Sequence, residues 1–170
     1  MIRRVLSIVV VILTALLLQS TVFSQIRLLG VKPELMYLVT IVVAILEGPQ
    51  EGAVVGFAGG MAQDFMLNTP GKGLTALTLT LLGYTMGLAR QYIVSASPLL
   101  PTALVAAGTA AGTAFYQLVA TLLGEFDEPL GYAIKVSLLA GLYGAVLTPI
   151  FYPLIRRLFE GSRPKRVVRY

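Results

Sequence analysis

Between residues 47 and 73 the chain reads EGPQEGAVVGFAGGMAQDFMLNTPGKG, an apolar segment striped with glycine that closes on an acid. Gly52, Gly56 and Gly60 recur every fourth residue, so on a helix they form one ridge almost bare of side chain, and Asp64 continues it one turn later. A second helix can approach such a ridge closely. In lipid, where apolar contact alone drives little association, close backbone approach is a main source of packing energy, so the plain reading of the glycines is an interhelix seam or a partner interface. Asp64 asks for more. A carboxylate at membrane depth costs at least ~2.5 kcal/mol unless it is paired, hydrated or protonated, which makes a functional or partner-binding role its default reading.

Composition sets the solvent in which that ridge must work. Of 170 residues, 56% are hydrophobic and 12% charged, against about 45–50% and about 25% in soluble domains. The class this implies is an all-α integral membrane protein with a single transmembrane domain over residues 1–157 and a basic tail over 158–170. With neither cysteine nor histidine in the chain, zinc sites built on thiolate or imidazole, cysteine nucleophiles and histidine triads are excluded. No catalytic residue, cofactor or metal site is expected. The net charge of +5 is not a nucleic-acid footprint, because the basic residues sit at the ends of apolar runs, where they act as topology signals.

Six apolar runs follow one another, at about residues 5–24, 33–46, 51–67, 74–90, 102–123 and 130–155. Arg3 and Arg4 precede the first; a signal peptide is the competing reading, but the run exceeds the ~7–15 residues of such a segment and more spans follow. Pro33 suits a first helical position and Glu34 then falls in the first turn, where a capping role and a binding role are both open. The second run is short for a ~30 Å bilayer core and is broken by Gly48-Pro49, so the hairpin it makes with the glycine ridge must be tucked into the bundle. Residues 68–73 form a turn whose GKG lacks the rest of a phosphate-binding loop. Threonines in the fourth run can bond back to their own helix. The fifth run, rich in Ala and Gly, reads as the centrally buried helix. Glu125, Asp127 and Glu128 make an acidic loop without an assigned role, and Pro149 and Pro153 predict kinks or a helix end in the sixth run. The tail has affinity for anionic headgroups.

Six spans put both termini on one side. Making that side cytoplasmic gathers Arg3, Arg4, Arg90, Arg156, Arg157 and the basic tail inside, leaving Arg27, Lys32, Lys72 and Lys135 outside or near it. Asp64 and Lys135 then lie at similar depth, about one turn under the outer surface. The expectation is an intramembrane polar pocket of Asp64 and Lys135 with Glu34 at its edge; the alternative is that Lys135 extends to the headgroups alone.

The ordered series Leu18-Gln19-Ser20-Thr21, Pro33-Glu34-Leu35, Gly48-Pro49, Glu51-Gly52, Gly56-Phe57, Gly60, Asp64, Pro70-Gly71 and Gly83-Tyr84 resembles the MreD family of rod-shape-determining membrane proteins, from the first span through the fourth. The resemblance implies a fold similar to the S components of energy-coupling-factor vitamin transporters, a compact bundle of six transmembrane helices. It further implies a non-enzymatic scaffold of the bacterial cell-elongation complex in the cytoplasmic membrane. Its implied partners are MreC and, directly or through it, MreB, RodA and a class B penicillin-binding protein. The competing function is a substrate-binding membrane component of a small-molecule transporter. That reading wants aromatic side chains around the polar pocket, and near Asp64 the sequence offers only Phe57 and Phe65.

Overall fold

The computed structural model describes residues 2–21, 30–31, 33–66, 73–90, 99–125 and 129–160. Among them are six helices and no sheet: α1 (Ile2–Thr21), α2 (Leu35–Glu47), α3 (Pro49–Met66), α4 (Leu74–Ala89), α5 (Leu99–Leu122) and α6 (Leu130–Glu160). The basic tail from residue 161, the turn at 68–72, Asp127, Glu128, Arg27 and Lys32 lie outside the described residues.

Helix α2 is the centre. Residues 35–45 of this helix are all buried, and it touches each of the other five helices. Its sequence, LMYLVTIVVAILE, carries large apolar side chains all the way round, and a helix of that kind needs cover on every side. This corrects the expectation that α5 is central. Small residues permit close approach along a seam without requiring burial elsewhere, and α5 leaves Leu118 and Leu122 exposed at 59% and 77%. Thirteen residues make α2 only about 20 Å long, which suits a helix held by protein more than by the bilayer.

The most extensive interface joins α3 to α4. A Cβ added at Gly52 would meet the Gly83 carbonyl at 2.6 Å, one at Gly56 would overlap the Leu79 backbone, and one at Gly60 would overlap Ala76. As the α3 number rises the α4 number falls, so the two helices run antiparallel with backbones nearly touching. Gly87 extends the seam to Pro49. Contact between α5 and α6 follows the same logic, with Gly141 against Ala106 and Gly144 against Thr109.

Pro49 and Pro101 sit where first-turn positions tolerate them. Pro49 opens α3, and α5 starts at Leu99, ahead of Pro101, where the fifth run was expected to begin at residue 102. The first N–H groups of a helix have no intrahelical acceptor, so proline forfeits little there. Pro149 and Pro153 do not end α6, which continues to Glu160. Both prolines stand on the exposed side of the helix, and the Thr148 hydroxyl donates to the Gly144 carbonyl at 2.6 Å just before the first of them.

The outer surface is apolar. Along α6, Leu138, Leu142, Val146, Ile150 and Leu154, spaced by four, are each more than half exposed. Two helices, α5 and α6, are long and apolar enough to cross a membrane; α2 and α4 are shorter apolar helices.

Candidate functional site

Asp64 is 1% exposed. Its Oδ2 accepts the Gly73 N–H at 2.9 Å and the Ala76 N–H at 3.3 Å. These are N-terminal amides of α4, groups with no partner inside their own helix. The residue at the helix start, Gly73, has no side chain to cap with and holds φ at +96°, a left-handed conformation that favours glycine. The α3 acid therefore caps the next helix from outside it. Hydrogen bonds to a charged group contribute about 1.5–3 kcal/mol each, and the positive end of the α4 dipole adds to them. Two such bonds offset an insertion cost that starts at ~2.5 kcal/mol. Structural capping is thus sufficient reason for an acid at this depth.

The expected pairing with Lys135 is not formed. Lys135 stands exposed on α6, and α3 packs on α1, α2 and α4 but does not touch α6. Both residues were placed at equal depth from the sequence, and depth says nothing about which helices are neighbours.

Glu34 does not cap its own helix. It occupies the N-cap position of α2 in an extended conformation and makes no side-chain capping bond, which separates it from the first-turn capping role. Tyr37 and Tyr116 both lie within electrostatic range of Glu34 and Asp64. Tyr37 is 1% exposed and lies against Gly112 of α5, where a Cβ would meet its ring at 2.7 Å. Tyr116, one turn further along α5, is in hydrogen-bonding contact with the Thr75 side chain and also feels the charge of Glu125. A polar corner assembled from α2, α3, α4 and α5 therefore holds two acids, two tyrosines and a threonine. Phe57 and Phe65, the aromatics nearest in sequence, point away at 56% and 66% exposure.

Tyr37 and Tyr116 escaped the sequence reading. A signal was present: Tyr37 follows Glu34 by three residues, and Tyr116 continues the Gly108-Gly112 row by four. A second polar contact, also unanticipated, joins α5 to α6, where Gln117 Nε2 donates to the Ala133 carbonyl and to Ser137 Oγ, both at 3.3 Å. The Gln63 Oε1, next to Asp64, is buried without a hydrogen-bond partner, as is the Gln19 Oε1 of α1. Among the described residues no three acidic, histidine or cysteine side chains come together as a metal site would need.

A helical bundle that turns leucine outward, and spends a buried acid and a buried glutamine on joining its own helices, is of the membrane-protein class. Within that class the chain belongs to the family of the rod shape-determining protein MreD, whose model matches residues 1–161. Neither the comparison with curated proteins nor that with solved structures gives a match.

Proposed function

We propose that this chain is a non-enzymatic scaffold of the bacterial cell-elongation complex, crossing the cytoplasmic membrane six times with both termini inside. It binds MreC and supports lateral peptidoglycan synthesis, with MreB, RodA and a class B penicillin-binding protein as further partners. Family membership supports the role in rod shape. The observation that carries the scaffold reading is the use of Asp64, the one acid deep in α3, as a cap between two helices. With that carboxylate in a structural task and α6 presenting a continuous apolar stripe, the molecule offers surfaces for other membrane helices.

Extraction from native membranes in mild detergent, followed by identification of what travels with the protein, is the test. A single-span partner together with cell-wall synthases is the expected result; a transporter ATPase or a bound metabolite in their place overturns it. That second outcome belongs to the alternative function, a substrate-binding transporter component, which draws support from Tyr37 and Tyr116 lying within electrostatic range of Glu34 and Asp64.

A further inference from the structure

Antiparallel packing fixes what lies beside Glu34. Gly52 of α3 meets Ala44 of α2, and counting ten residues along each helix, at about 1.5 Å per residue, brings Glu34 level with the last turn of α3. Gln63 stands in that turn. It extends by four the position of Gly59, where a Cβ would run into the Met36 side chain of α2, so Gln63 lies on the side of α3 that faces the start of α2. Gln63 is 4% exposed and its Oε1 has no hydrogen-bond partner. Glu34 is partly exposed and does not use its carboxylate to cap α2. Among the described residues, the Arg90 guanidinium lies beside Gly48 at the opposite end of α2, and Lys135, Arg156 and Arg157 are exposed on α6; Lys32 and Lys72 lie outside the described residues.

Gln63 Oε1 is a buried acceptor without a donor, and such an acceptor is costly, the more so with a carboxylate level with it. We propose that this corner is a binding site for an alkylammonium or guanidinium group entering from the Asp64 end of the bundle, held by Glu34 and by the Gln63 carbonyl. Such a group is a multiple donor with no acceptor of its own, the complement of what the corner presents. Tyr37 and Tyr116 supply aromatic rings of the kind that attract cations, and Glu125 adds negative potential near Tyr116. The site stands independently of the scaffold role, since the amine can belong to a free solute or to a lysine of a partner's outer segment.

The test uses the full chain in nanodiscs of zwitterionic lipid, titrated with ethylammonium and followed by ligand-observed NMR. Saturable binding is expected, with tetramethylammonium, a cation without donors, at least tenfold weaker. Glu34→Gln and Gln63→Leu should each weaken ethylammonium binding several-fold at an unchanged melting temperature; if one variant fails to fold, the other carries the comparison. A capped Ala-Lys-Ala tripeptide separates the sources: binding as tight as ethylammonium points to a partner's lysine, and exclusion of the peptide points to a free amine. Absence of saturable ethylammonium binding, equal binding of tetramethylammonium, or wild-type affinity in the folded variants overturns the proposal.

Discussion

One oxygen atom carries much of the local order in this protein. Asp64 Oδ2 receives two N–H groups of α4, so Asp64→Ala should destabilise the fold by roughly 2 kcal/mol, the upper range for loss of a cap. Asp64→Asn, which keeps an acceptor in place, should retain at least about half of that. Lys135→Gln should change stability by less than about 0.5 kcal/mol, as at other exposed positions, and its effect should add to that of Asp64→Ala because the two side chains share no partner. Denaturant titration in micelles measures all three, and a coupling well above the error of the cycle would restore the ion pair. Gly73→Ala removes no side-chain contact, yet at φ +96° an added Cβ costs roughly 1–2 kcal/mol.

Helices are joined here along glycine seams, and the effect of a methyl group depends on which helix face receives it. Gly56 lies on the Leu79 backbone, which cannot rotate away, whereas a Cβ at Gly131 in the first turn of α6 meets nothing within 4 Å. Gly56→Ala should therefore cost about 1–3 kcal/mol by overpacking or force the α3–α4 pair apart, while Gly131→Ala should be neutral or stabilising by up to about 1 kcal/mol from lost chain entropy. Melting of both variants in the same detergent checks the contrast. Equal losses would mean that the seam is not where helix separation is decided. Gly144→Ala is an intermediate case, since its Cβ would lie 3.1 Å from Thr109 Oγ1 and 3.2 Å from Val105 Cγ1, side-chain atoms that need give by only a few tenths of an ångström.

At the scale of the molecule, a short central helix is wrapped by five others whose outer faces are apolar. Amide exchange should accordingly be slowest in α2, whose backbone is covered on all sides, and not in the longer α6; faster exchange in α2 than in α6 would contradict its central place. The proposed orientation has its own measurement, because the chain contains no cysteine. A single cysteine at Glu125 should react with an impermeant maleimide on intact cells, and one at Arg157 only after the membrane is opened. From the sequence came the helix-forming apolar runs, the bare ridge of Gly52, Gly56 and Gly60, the family series, and the need for Asp64 to be satisfied, because periodicity, residue size and desolvation act within one segment. Tertiary structure decided which helix is central, that the acid is answered by backbone amides of α4 instead of Lys135, and that Tyr37 packs against Gly112 of α5. Those outcomes depend on which helices become neighbours, and helix neighbourhood is set by the summed packing of all six, a quantity that no single stretch of chain contains.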